Sequence, residues 1–281
     1  TMKQFLKILI PIAVTIFFTQ PTFGYGPKGY EPSKHQKNHD GKSRGGKGRH
    51  GYGRPKGPPA DIPAHIKERM SPDGKGINLN GSQIGVTGIS IMAETPALKN
   101  VVSMALKSNK LGDEGVRIIT QSSTFKHLEF LSLWDNGISP AGIKMLARGA
   151  NFNNLKELNL MKNNLGDEGV VLLVDSSNLF NLTSLDLSVN KIGDKGAIAI
   201  ATSPYLSNLK KLDLFNNRIT LKGLKAILQS KTLVSLQNID FVKNNIDDES
   251  AAKLWESHMN SCRALKKIDH PHEEKLPLCT N

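Results

Sequence analysis

A 27-residue period governs most of this chain. Leu128, Leu155, Leu182, Leu209 and Leu236 recur at that spacing without a gap, and the same register extends back to Val101 and Gly74. Seven units therefore cover residues 74–262 of the 281. A unit this short cannot bury an apolar face by itself. Its neighbours must bury it, so the units have to stack and share one elongated core. A single closed globular fold is excluded over this stretch.

Within a unit the apolar positions specify the local structure. The fourth position reads Ile77, Met104, Leu131, Leu158, Leu185, Leu212, Ile239, and the sixth reads Leu79, Leu106, Leu133, Leu160, Leu187, Leu214, Phe241. A spacing of two puts both side chains on one face of a strand. The ninth position is Ser82, then Asn109, Asn136, Asn163, Asn190, Asn217 and Asn244, and the eleventh is always Ile or Leu. An amide supplies two donors and an acceptor oxygen, so stacked asparagines can satisfy backbone groups left open where each strand turns. The second half of the unit reads as a helix. Position twelve offers caps or glycine (Gly85, Gly112, Ser139, Gly166, Gly193, Thr220, Asp247), acids follow at Asp113–Glu114, Asp167–Glu168 and Asp194, and apolar pairs such as Val116/Ile119 and Leu224/Ile227 make a face. Position fifteen is Gly in six of seven units, which predicts close backbone packing there.

Strands about 4.8 Å apart on one side and helices about 8–10 Å apart on the other force a curve with the strands inside. The fold class expected is an α/β solenoid, an open horseshoe arc with parallel strands on the concave face and helices on the convex face. The pattern L-x-x-L-x-L-x-x-N-x-L, in units carrying N-x-[IL]-G-D-[EK]-G, resembles the ribonuclease-inhibitor class of leucine-rich repeats over 189 of the 281 residues. The resemblance implies a fully helical convex side and protein binding on the concave face. A GTPase-activating branch of the class exists, but a fold does not carry an activity with it.

The remainder divides at composition breaks. Lys3 and Lys7 precede an apolar run from Ile8 to Phe18, followed by Thr19, Pro21, Thr22 and Gly24. That order is a secretory signal over 1–24, with an apolar run too short for a secure membrane span. Residues 25–59 hold no Leu, Ile, Val, Met or Phe, and with Gly24 they contain ten of the 25 glycines. The expectation there is a disordered basic segment. Its nine Lys/Arg face only Glu31 and Asp40, so +7 of the net charge of +12 sits in it, and with +2 from Lys3 and Lys7 only +3 remains for residues 60–281. A strongly basic folded domain is thereby excluded. Lys42, Arg44, Lys47, Arg49, Arg54 and Lys56, interleaved with tyrosines, are the candidate contacts to a polyanion, an anionic surface, glycan or nucleic acid. Asp61-Ile62-Pro63 opens a helix through Met70, an N-terminal cap over 60–73, and 263–281 form a C-terminal cap and tail.

Two cysteines, Cys262 and Cys279, exclude a disulfide scaffold and a cysteine zinc cluster. In an oxidising compartment they bridge, for about 3 kcal/mol; otherwise they are two thiols. No H-E-x-x-H, G-x-S-x-G or Cys/His pair at useful spacing is present, and the His270, His272, Glu273, Glu274 group reads as a solvated tail. No catalytic residue, metal ligand or cofactor is assigned. Strand positions three, five, seven and eight face inward on the arc and are free of core duty. Trp134, Met161 and Phe215 at position seven, with Phe130 on the strand of Trp134, are the candidate protein-binding anchors. Asp186, Asp213 and Asp240 at position five form a row of like charges expected to be neutralised by Lys162, Lys211 and Lys243, by a cation or by a basic partner. The function expected is that of an exported, monomeric, non-enzymatic protein-binding module. A GTPase-activating regulator and a polyanion binder stand as alternatives.

Overall fold

The computed structural model describes residues 57–267. The leader, the six candidate polyanion residues Lys42 to Lys56, the His270 group and Cys279 lie outside the described residues.

Each unit supplies one three-residue strand and one helix. The chain runs α1 (Ile62–Glu68), β1 (Gly76–Asn78), α2 (Gly85–Glu94), β2 (Ser103–Ala105), α3 (Gly112–Gln121), β3 (Phe130–Ser132), α4 (Pro140–Arg148), β4 (Glu157–Asn159), α5 (Gly166–Val174), β5 (Ser184–Asp186), α6 (Asp194–Thr202), β6 (Lys211–Asp213), α7 (Leu221–Leu228), β7 (Asn238–Asp240) and α8 (Asp248–Lys267). The seven strands make one parallel sheet in sequence order. Its register follows the period: Ile77 pairs with Met104, Leu131 with Leu158, and Leu212 with Ile239. The result is an α/β leucine-rich repeat solenoid, an open parallel sheet backed by a layer of helices.

The core is continuous from Ile66 to Ile239. The position-four and position-six residues from Ile77 to Ile239 are buried, with Phe241 only partly so. A further buried row that the sequence reading left out recurs at position twenty-five: Leu98, Phe125, Phe152, Leu179, Leu206 and Leu233. At Leu98, Phe125, Phe152 and Leu179 it lies in the short 3-10 turns that return the chain from helix to strand.

The asparagine ladder is made of amide bonds between successive units. Asn163 Nδ2 donates to the Leu133 and Leu160 carbonyls at 3.1 and 2.9 Å, and its Oδ1 accepts from the backbone N–H of Asn136 and Ile138 at 3.1 and 3.0 Å. Asn136, Asn190 and Asn217 repeat the arrangement.

The glycine at position fifteen has two causes: in all six units a Cβ there would lie 2.3–3.0 Å from the position-eleven side chain, and in three of them it would also meet a carboxylate of the preceding unit. The acid at position thirteen caps the helix of the following unit. Asp113 accepts from the Ser139 N–H and Oγ at 2.8 and 2.6 Å, Asp167 from the N–H groups of Gly193 and Gly196, and Asp194 from the Thr220 N–H and Oγ and the Gly223 N–H. A Cβ on Gly142, Gly196 or Gly223 would lie 2.3, 2.8 or 2.6 Å from the capping carboxylate. At position twelve, Gly85, Gly112 and Gly166 adopt left-handed φ near 57°, which is why glycine stands there rather than a hydroxyl cap.

Both ends are covered. Asp61 accepts from the Ala64 N–H at 2.9 Å, with Pro63 in the first turn. α1 ends at Glu68, short of Met70, because Met70 bridges antiparallel to Ile77 on the free edge of β1. At the other end α8 runs for 20 residues and crosses residue 263, so the capping helix begins inside the seventh unit. Leu254 and Trp255 pack on the core, and Cys262 is buried, disulfide-bonded and 3.6 Å from His258 Nε2. Among the described residues, no helix is long and apolar enough to cross a membrane.

Candidate functional site: the concave face

Seven strands present their positions three, five and seven to the inside of the arc. The position-seven residues differ most in character. Lys107, Trp134, Met161 and Phe215 are half-buried, Val242 is 43% exposed, and Ser188 is 2% exposed. Trp134 and Met161 extend adjacent strands, joined through the Asp135 N–H to Met161 carbonyl bond at 2.9 Å. Phe215 and Val242 likewise extend β6 and β7, joined by the Asn216 N–H to Val242 carbonyl bond at 2.8 Å. The anchors therefore form two apolar patches, with Ser188 between them. Phe130 is half-buried at the other end of β3 from Trp134.

Lysines lie over both aromatic rings. Lys107 Nζ is 3.3 Å from the centroid of the Trp134 ring, and Lys243 Nζ is 5.1 Å from that of Phe215. A cation at such a distance is attracted by the ring quadrupole. The sequence reading missed Lys107, although the period places it directly before Trp134 in the same row.

The aspartate row departs from expectation in two ways. Position five is not free of burial: Asp186 is 2% and Asp213 8% exposed, and only Asp240 is half-buried. Nor do the three lysines neutralise them. Lys162 pairs with Asp135 at 3.2 Å, Lys243 lies over Phe215, and Lys211 acts on Glu157. Among the described residues no Lys or Arg reaches ion-pair distance of Asp186, Asp213 or Asp240. Neutral donors serve instead. Asp186 accepts from Asn159 Nδ2 at 2.8 Å and from the Ser188 N–H at 3.0 Å, Asp213 from the Phe215 N–H at 2.9 Å, and Asp240 from the Val242 N–H at 2.9 Å. Ser188 Oγ lies within hydrogen-bond distance of both Asp186 and Asp213.

The electrostatics follow from that burial. Desolvation raises the Asp186, Asp240 and Glu157 carboxyls above the ordinary range. Burial, with the charge of Asp186 adding to it, pushes Asp213 up to about 6. Convex carboxyls go the other way: burial acts upward on Asp194, but the bonds from Thr220 and Gly223 carry it below the usual value. Among the described residues, no group of three or more His, Cys, Asp or Glu is arranged to hold a metal ion.

A family model described as Leucine Rich repeat matches residues 126–147, 153–174, 178–201 and 205–228. With the repeat geometry above, residues 74–262 form a leucine-rich repeat solenoid. No curated protein sequence matches the chain. Among solved structures it is similar to InlP of Listeria monocytogenes, at 18% identity and a TM-score of 0.42, over 61% of this chain and 44% of that one. The chain thus spans less than half the length of that protein.

Proposed function

We propose that this is an exported, non-enzymatic recognition protein whose concave face grips a protein partner through the Trp134/Met161 and Phe215/Val242 patches. The observation that carries it is the pair of half-exposed apolar patches at position seven, on a face whose neighbouring rows at positions three and five are mostly polar. Large rigid aromatics, partly desolvated and flanked by polar groups, are the side chains that dominate binding energy at protein interfaces. Phe130 extends the first patch along β3, and Asp240 is the most accessible of the acidic row. Export is supported by the charged, apolar, then small-residue order of residues 3–24 and by the bonded state of Cys262, for which Cys279 is the partner we assign. The basic segment adds attachment to an anionic surface through Lys42, Arg44, Lys47, Arg49, Arg54 and Lys56.

The test is comparative capture with the full chain, its Trp134→Ala and Phe215→Ala variants, and a convex control, Leu221→Ala. Trp134→Ala is expected to weaken a specific partner by at least tenfold, as a loss of about 1.4 kcal/mol or more at an interface anchor, while Leu221→Ala retains it. Equal recovery by all variants refutes the concave site. Deleting residues 25–59 is expected to abolish polyanion affinity and leave partner capture intact.

A further inference from the structure

One hydroxyl lies between two carboxyl groups at the middle of the concave face. Ser188 Oγ is 2.6 Å from Asp186 Oδ1 and 2.5 Å from Asp213 Oδ1. Both separations belong to hydrogen bonds, since an O–H···O⁻ contact spans about 2.5–2.7 Å. A serine hydroxyl carries one hydrogen and can donate to only one of them. With both carboxyls ionised, the second contact would set lone pair against lone pair in a buried site. A second hydrogen is needed.

Its position follows from the remaining donors. Asp186 receives two others, the Ser188 N–H at Oδ1 and Asn159 Nδ2 at Oδ2. Asp213 receives one, the Phe215 N–H. The negative charge is better held on Asp186, so the extra proton belongs to Asp213. The chain then runs in one direction: Asp213 Oδ1–H donates to Ser188 Oγ, and Ser188 Oγ–H donates to the Asp186 carboxylate.

We propose that Asp213, Ser188 and Asp186 form a buried proton-holding chain, and that loss of its proton in mildly acidic solution adds a negative charge to the concave face without a change of fold. The charged neighbours on every adjoining strand are consistent with it. On β7, Asp240 acts upward on both carboxyls of the chain. On β4 and β6, Glu157 and Lys211 interact with each other at position three. Beyond the strand ends, Lys162 is held by Asp135 and Lys243 lies over Phe215. The helices pack on the opposite side of the sheet. Burial and the Asp186 charge place the Asp213 titration at about 6. A carboxyl raised in the folded state binds its proton more tightly there than in the unfolded chain, where Asp titrates near 3.8. Its contribution to stability is full below the unfolded value and is lost as pH rises through about 6.

The proposal concerns the isolated protein and is independent of any partner. The experiment is a carboxyl-carbon NMR titration of the full chain labelled at aspartate, with Asp213→Asn for assignment. One Asp signal with a midpoint near 6, absent in Asp213→Asn, is the expected result. Midpoints below about 4.5 for every aspartate overturn the proposal, and a midpoint near 6 at Asp186 overturns the placement of the proton. Thermal unfolding gives a second readout that needs no assignment. From pH 5 to 7.5 the wild-type midpoint is expected to fall by about 3–5 °C relative to Asp213→Asn. Parallel curves count against a shared proton.

Discussion

Replacing Gly142 with Ala should destabilise the arc for a reason that lies in the neighbouring unit. In an ordinary helix the change favours folding by up to about 1 kcal/mol, because alanine is the better helix former. Here the new Cβ would stand 2.3 Å from Asp113 Oδ1 and 2.9 Å from Ile138 Cγ2. The carboxylate must retreat, and it then loses the Ser139 N–H and Oγ at 2.8 and 2.6 Å. Loss of that cap costs about 1–2 kcal/mol, and residual overpacking about 1–3 kcal/mol. The net expectation is a destabilisation of about 1–3 kcal/mol. Asp113→Ala alone removes the cap, for about 1–2 kcal/mol. The two changes remove the same interaction, so the double variant should cost at least about 1 kcal/mol less than the sum of the singles. Gly169→Ala is the internal control. The preceding unit carries Pro140 where Asp113, Asp167 and Asp194 stand in their units, and the nearest atoms to a Cβ on Gly169 are Leu165 Cβ at 3.0 Å and Pro140 Cα at 3.7 Å. That variant should cost clearly less than Gly142→Ala. Urea unfolding followed by circular dichroism, with the slope checked for constancy, measures all four variants against the wild type. Additivity within about 0.5 kcal/mol would refute the claim that the acid and the glycine act as a pair.

Two further predictions concern the spine and the caps. Asn163→Ala strands the Asn136 and Ile138 N–H groups and the Leu133 carbonyl in the buried turn, while the Leu160 carbonyl keeps its bond from Asn190 Nδ2. It should cost about 3–5 kcal/mol, against less for Asn244→Ala at the half-exposed end of the ladder, where the side chain accepts only the Ile219 N–H; equal losses in denaturant midpoints would contradict the ladder account. The lowered carboxyls of Asp194, held down by Thr220 and Gly223 against the upward effect of burial, and of Asp247, held down by Ser250, stabilise the fold above the unfolded carboxylate value near 3.8. That stability is lost as pH falls through their folded values, so melting midpoints should drop steeply below about pH 4 and less so in Asp194→Asn.

The spine was legible because each of its rows recurs at a fixed spacing and performs one task that a residue type reveals. Leu at positions four and six can only be core when Asn follows at nine. The row at position twenty-five is less legible because it holds both Leu and Phe and lies in the return from helix to strand, where neither period two nor period 3.6 marks it. The caps were half legible. Acids at helix starts suggested the dipole, yet Asp113, Asp167 and Asp194 serve the next helix, a contact between residues 26 to 29 apart that no window along one helix reveals. On the concave face, identity was readable and environment was not. Lys162, Lys211 and Lys243 are near Asp186, Asp213 and Asp240 in sequence position, but Asp135, Glu157 and the Phe215 ring hold them.

In a molecule whose repeats impose the same geometry at every step, the informative positions are those where a row changes character. Position seven is large at Lys107, Trp134, Met161, Phe215 and Val242 and small only at Ser188 among the strands from β2 onward. Position five is carboxylate only in the last three units. The two changes coincide at β5 and β6, and there the polar groups are buried and hydrogen-bonded to one another rather than to solvent. The same residue type on the convex side receives backbone donors from a helix start and is held ionised. Aspartate is thus a structural cap on one surface and a titrating group on the other, and the difference lies first in how deeply each carboxyl is buried. Two apolar patches on either side of an ionisable centre make a face whose apolar contacts are fixed by the fold while its charge responds to the solution.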